Sequence, residues 1–133
     1  MKQMSRRDAR IKAYELIFMI NTCEDVTSEL ERLAAELKDH KKHVKYISDV
    51  VNAAYNNRAE IDRIISENIS ESWSISRLSK MCVATLRLAI AEMLYVEDIP
   101  ESVSINEAVE LSKIYGDENE SGFVNGLLGK LAK

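Results

Sequence analysis

The sequence predicts an all-α protein, and three features carry that expectation. The breakers come first: the chain has one proline, Pro100, and four glycines, Gly116, Gly122, Gly126 and Gly129, so residues 1–99 contain neither type. A sheet protein needs turn chemistry about every ten residues, and hairpins lean on Gly, Asn-Gly or Pro. Second, apolar side chains recur at the three- and four-residue spacing of one helix face through most of the chain. Third, 133 residues with 46% hydrophobic and 30% charged content are the balance of one soluble domain, 1–133, around one core.

Each helix has its own justification. Residues 5–21 carry Ile11, Tyr14, Ile17 and Phe18 at helical spacing, and residues 26–38 place Val26, Leu30, Leu33, Ala34 and Leu37 on one face. Helix three, 41–56, uses Val44, Ile47, Val51, Ala54 and Tyr55; helix four, 58–69, uses Ile61, Ile64, Ile65 and Ile69. Trp73 follows in a serine-rich link (Ser70, Ser72, Ser74, Ser76), where it is expected to plug the bundle beneath it.

Helix five, 78–96, is apolar around most of its circumference and is therefore the central helix. Arg87 and Glu92 are embedded in it. They diverge by roughly 140° and cannot pair with each other, so each needs a partner on another helix or a ligand, with interhelical salt bridges favoured. After Pro100, Ser104-Ile105-Asn106-Glu107 has capping-box spacing, and that helix runs to Tyr115 with Gly116 placed as a left-handed C-terminal residue. The last helix, 119–132, stacks Val124, Leu127, Leu128 and Leu131 inward. Gly122, Gly126 and Gly129 fall within about 60° of one another on its opposite side. Helical glycine costs about 1 kcal/mol relative to alanine, so this bare face invites close approach by something else. Phe123 and Asn125 flank it.

Charge is distributed unevenly. Residues 1–14 hold Lys2, Arg6, Arg7, Arg10 and Lys12 against Asp8 alone, a local charge of +4 that leaves −8 for the rest of a chain with a total of −4. Arg6, Arg10 and Arg7 project at about 0°, 40° and 100° around the first helix, one fan at its positive end. Either this is a solvated end, or it is a clamp of arginine forks for phosphates.

Catalytic signals are missing. His40 and His43 have no accompanying ligand cluster, which argues against a metal site, and neither a nucleophile elbow nor a glycine-rich phosphate loop occurs. No cofactor is expected. Cys23 and Cys82 lie far apart and read as small buried side chains of a reduced, cytoplasmic protein. The longest apolar runs fall well short of the ~18 residues of a membrane span. The residues point to a binding module.

Three stretches then resemble a known family. They are Arg6-Arg7-Asp8-Ala9-Arg10 leading into Ala13-Tyr14-Glu15-Leu16; Leu86-Arg87-Leu88-Ala89-Ile90-Ala91-Glu92-Met93; and Pro100 followed by Val103-Ser104-Ile105-Asn106-Glu107-Ala108-Val109-Glu110-Leu111, Lys113, Tyr115-Gly116 and Phe123-Val124-Asn125-Gly126-Leu127-Leu128. Over essentially its whole length the chain resembles the NusB family of bacterial transcription antitermination factors. The resemblance implies about seven helices in two packed bundles. It implies binding to boxA, a short single-stranded element of ribosomal RNA leaders, jointly with NusE, a small-subunit ribosomal protein, and through them an indirect link to RNA polymerase.

It also implies an RNA surface formed by Lys2, Arg6, Arg7, Arg10, Gly116, Asn119, Phe123 and Asn125, and a partner surface involving Phe18, Cys82 and Arg87. Two departures stand out. Cys82 occupies a position where many members carry an acid near the NusE contact, which is expected to alter that interface. Asn119 stands where Asp is frequent, which is expected to favour RNA slightly by removing a negative charge.

Two other classes fit parts of the pattern. A helical adaptor without RNA binding would suit the acidic body and the run Leu16-Ile17-Phe18-Met19-Ile20. A relative of the RNA-binding domain of ribosomal RNA cytosine methyltransferases is disfavoured by length, since such enzymes carry a further catalytic domain. Monomer and homodimer are both open.

Overall fold

All seven expected helices form, and side-chain caps set several of their ends. The structure, a computed structural model, describes residues 4–19, 26–69, 77–116 and 118–132. Lys2, Cys23 and the Trp73 link lie outside the described residues. The helices are α1 (Arg6–Met19), α2 (Val26–Glu36), α3 (Lys41–Asn56), α4 (Arg58–Glu67), α5 (Lys80–Tyr95), α6 (Glu101–Tyr115) and α7 (Glu118–Leu131). Among the described residues there is no strand.

At the start of α1, Ser5 and Asp8 form a reciprocal capping box: the Ser5 N–H donates to Asp8 Oδ2 and the Asp8 N–H to Ser5 Oγ, both at 3.0 Å. Ser79 caps α5 by accepting from the Cys82 N–H at 3.0 Å. One residue, Asn57, closes α3 and opens α4, its side chain donating to the Ala53 carbonyl at 2.9 Å.

Two expectations about ends are corrected. The box assigned to Ser104 and Glu107 does not cap α6, which begins at Glu101 with Pro100 as its N-cap residue. Proline's fixed φ starts a helix readily, so the chain turns helical one turn earlier, and Ser104 becomes an interior residue. Nor is Gly116 left-handed; its backbone is extended (φ −108°, ψ −169°). Glycine is required there for space, because a Cβ would lie 2.9 Å from the Ser112 carbonyl oxygen and 2.7 Å from Glu120 Oε1. The carboxylate can swing aside but the carbonyl cannot. Gly116→Ala is therefore expected to destabilise by about 1–3 kcal/mol in chemical denaturation; an unchanged midpoint would refute this close contact. The one non-glycine residue of positive φ among those described, Asp98 at 66°, turns the α5–α6 link.

The centre is α5. Every residue from Cys82 to Glu92 is buried, and the helix packs against α1, α3, α4, α6 and α7. On one side α1 pairs with α3 and α2 covers α3; on the other α6 pairs with α7. Ile17, Ile47, Ile61, Ile65, Leu86, Leu88, Ile90 and Leu128 are among the largest fully buried side chains. Each contributes about 1.5–3 kcal/mol by leaving water. Tyr14 stacks on Tyr115, ring centroids 5.0 Å apart, tying α1 to α6.

Candidate nucleic-acid interface

The N-terminal arginines divide into three environments. Arg10 is buried, 3% exposed, and it does not belong to an open phosphate fan. Its Nε and Nη2 donate to the two oxygens of Glu92 at 2.7 and 2.9 Å, and its Nη1 donates to Glu107 at 3.3 Å. Glu92, 1% exposed, also accepts from the Tyr46 hydroxyl at 2.5 Å and the Ser104 hydroxyl at 3.0 Å. Three helices, α1, α3 and α6, thus converge on one carboxylate of α5. The projection that placed Arg10 beside Arg6 and Arg7 holds, but α1 is covered on that side by α3, α5 and α6, so the fan's middle member points inward.

Arg6 and Arg7 stay at the surface. The Arg6 guanidinium sits over the Tyr46 ring of α3, 4.6 Å from its centroid. Arg7 leans the other way, donating through Nη2 to Glu107 at 2.7 Å and through Nε at 3.4 Å. Among the described residues Arg7 Nη1 has no hydrogen-bond partner. Exposed pairs of this kind are worth only about 0–1 kcal/mol, so an incoming phosphate can displace the carboxylate.

Arg7 borders a groove of about 580 Å³ between α1, α6 and α7. Asn106, Glu110 and Lys113 line it from α6, at positions i, i+4 and i+7 of one face; Gly122 and Asn125 line it from α7. Lys113 lies 3.6 Å from Glu110. The groove therefore offers two weakly covered cations for phosphates and two carboxamides able to read base edges. Asn106 and Lys113 were not singled out as site residues from sequence, although their helical spacing placed them on one face.

The other flank of α7 borders a second, more apolar groove of about 620 Å³, lined by Asn119, Phe123, Gly126 and Lys130 with Ile69 and Leu78 opposite. Phe123 and Asn125, expected on one surface, therefore face different grooves, because residues two positions apart on a helix point roughly 160° from each other. Between them runs the glycine ridge. Apart from the adjoining backbone of α7 itself and the neighbouring residues in sequence, no described atom lies within 4 Å of where a Cβ would stand at Gly122, Gly126 or Gly129.

The proposed partner residues fare differently from one another. Cys82 is 1% exposed and cannot contact a partner directly; burial, reinforced by nearby Glu120, pushes its thiol up to about 12, so it stays protonated and inert. Arg87 is also interior, with Nε and Nη2 donating to the Asp62 carboxylate of α4 at 2.9 and 2.8 Å. Of the two alternatives for Arg87 and Glu92, a partner on another helix is the one found for both. Phe18, 36% exposed beside Met19, is the member of the three with surface to offer. No three His, Cys, Asp or Glu side chains converge to hold a metal among the described residues.

A central buried helix packed against five others, with an outer groove mixing cations and carboxamides, defines a helical binding module suited to an anionic chain. The chain belongs to the NusB family, whose model matches residues 7–133. It is 44% identical to the transcription antitermination protein NusB of Acetivibrio thermocellus over 131 residues, covering 98% of this chain and 90% of the relative. It is 42% identical to the NusB of Natranaerobius thermophilus, covering 97% and 95%. In structure it resembles T. maritima NusB with a TM-score of 0.86 at 34% identity, covering 98% of this chain and 92% of that one. A structure of antitermination factors NusB and NusE in complex with double-stranded RNA matches with a TM-score of 0.79 at 29% identity, covering 95% and 94%.

Proposed function

We propose that this protein is a transcription antitermination factor that binds the boxA element of ribosomal RNA leaders together with NusE, helping to load the antitermination complex onto RNA polymerase. The observation that carries this reading is the groove joining Arg7 to Asn106, Lys113 and Asn125 beside a ridge of bare helix backbone. Phosphates lie toward Arg6, Arg7 and Lys113, where they position the strand; base edges lie toward the two carboxamides, which read it. Across the ridge Phe123 offers a ring to an unpaired base, worth about 1–3 kcal/mol, with Asn119 at the rim. NusE docks on a separate surface that includes Phe18. The protein acts in the cytoplasm by holding partners together and carries out no catalysis. Among the described residues no helix is long and apolar enough to cross a membrane.

The test is a titration of a labelled boxA-like strand and a scrambled control, with and without NusE, over a salt series. Preferential boxA binding that NusE strengthens and salt weakens is expected. Equal binding of the two strands, or tight NusE binding with no RNA, would replace this reading with that of a protein adaptor.

The ridge makes a separate prediction. Gly122→Ala and Gly126→Ala meet no neighbouring atom, so each should stabilise the fold by about 1 kcal/mol through helix propensity. If RNA crosses the ridge closely, the same variants bind it more weakly. Thermal melting and RNA titration on one preparation check both signs, and undiminished RNA affinity would place the strand elsewhere.

A further inference from the structure

A cluster of cations outside the groove has no role in the reading above. Lys38, Lys41 and Lys42 are exposed at the α2–α3 junction, where with Asp39, His40 and His43 they line a concavity of about 490 Å³. Elsewhere several surface cations are matched: Arg32 bridges Glu29 and Glu36, Arg63 bridges Glu60 and Glu67, and Lys45 pairs with Asp49, whereas Lys12, Arg58, Lys80 and Lys130 stand apart from one another in the sequence with no ion pair among the described residues. Among the described residues Lys38, Lys41 and Lys42 have no ion-pair partner. Two of them stand in the first turn of α3, where the helix dipole and their mutual repulsion both disfavour them. A local rule broken without local compensation marks a surface that serves something outside the chain.

Position says what that is. Lys42 and His43 lie one turn before Tyr46 on the same face of α3, and Tyr46 is the ring on which Arg6 rests. Arg6 is the neighbour of Arg7, which borders the groove. The cations therefore stand in order from Lys113 and Arg7 in the groove, by Arg6 over Tyr46 at the end of α1, to Lys42, Lys41 and Lys38, a path along one side of the molecule. We propose that this path carries the sugar–phosphate backbone of the same single strand beyond the segment held in the groove, so that the lysine cluster binds flanking RNA without regard to its sequence. The inference rests on the groove being the RNA site. Its ligand chemistry is an unpaired polyanion in continuity with that site, and lysines contact phosphates as point charges with no preference among bases.

The experiment compares a short boxA-like strand with the same strand extended by an oligouridine run on its 5′ or its 3′ side, using the full chain and the K38Q/K41Q/K42Q variant. For the unaltered protein, extension on one side should raise affinity about tenfold and steepen the salt dependence by about 2 in the log–log slope, as expected for three contacts to single-stranded phosphates. The triple variant should melt no lower than the unaltered protein, since it relieves an unfavourable charge at the start of α3, and should keep its affinity for the short strand while losing the gain. An equal gain in the variant, or no gain on either side, overturns the proposal and leaves the groove reading standing. A variant that loses NusE affinity but keeps the gain also overturns it, and makes the cluster a protein contact. If the short strand fails to bind while the extended one binds through the lysines, the groove reading fails and the lysines are a separate RNA site, which overturns continuity. Failure of both strands overturns both readings.

Discussion

Replacing Glu92 by alanine is expected to cost about 3–5 kcal/mol of stability, enough to remove much of the folded population of a domain whose whole margin is about 5–15 kcal/mol. The carboxylate is buried and receives four hydrogen bonds, two from Arg10 and one each from Tyr46 and Ser104. Its loss leaves the Arg10 guanidinium inside the protein with only the longer Glu107 contact, at 3.3 Å, to compensate its charge. Removing one partner of a buried pair is far more damaging than removing both, because the penalty lies in the charge left behind. Arg10→Met should be comparably harmful, and Arg10→Met with Glu92→Leu together should be much less harmful than the two single effects combined. Urea denaturation of the three variants closes the cycle. Additive losses would mean that Arg10 and Glu92 act independently, and would remove the cluster as the element that seats α1.

That seating bears on function, because Arg10 lies one helical turn beyond Arg6 and Arg7. The pair fixes α1 against α3, α5 and α6, so its first turn can present Arg6 toward α3 and Arg7 toward α6. The sequence held both halves of this arrangement without their connection. Glu92 was legible as an acid stranded in an apolar helix and in need of a partner, and Arg10 as one member of an arginine fan. The two stand 82 residues apart, and helical projection gives relative angles around an axis but not which side meets solvent. The same limit explains the misplaced capping box. Ser5-x-x-Asp8 and Ser104-x-x-Glu107 share the spacing; only the first caps a helix, because Pro100 had already begun α6 a turn earlier. By contrast the all-α class and the central position of α5 follow from local pattern, which needs no tertiary information. Lys41 and Lys42 stand between His40 and His43 in the sequence, but their relation to Arg6 depends on Tyr46 lying beneath that arginine.

The exposed arginines should behave in the opposite way to Arg10. The R6A/R7A variant is expected to fold with little loss, since it gives up a cation–π contact of about 0.5–1 kcal/mol and an exposed ion pair of about 0–1 kcal/mol. Its boxA affinity, however, should fall by at least about tenfold. Charge-assisted hydrogen bonds are worth about 1.5–3 kcal/mol each, and part of that gain is offset by displacing Glu107 from Arg7. The salt series separates this from a structural defect. Two lost phosphate contacts on a single strand should flatten the log–log slope by about 1.4, and should do so equally for boxA and scrambled RNA. A variant at Asn125 should instead lose preference between the two strands while keeping the slope. If R6A/R7A keeps the slope of the unaltered protein, the two arginines touch no phosphate. The exposed end of α1 would then be a solvated terminus, and the groove would have to hold its ligand through α6 and α7 alone.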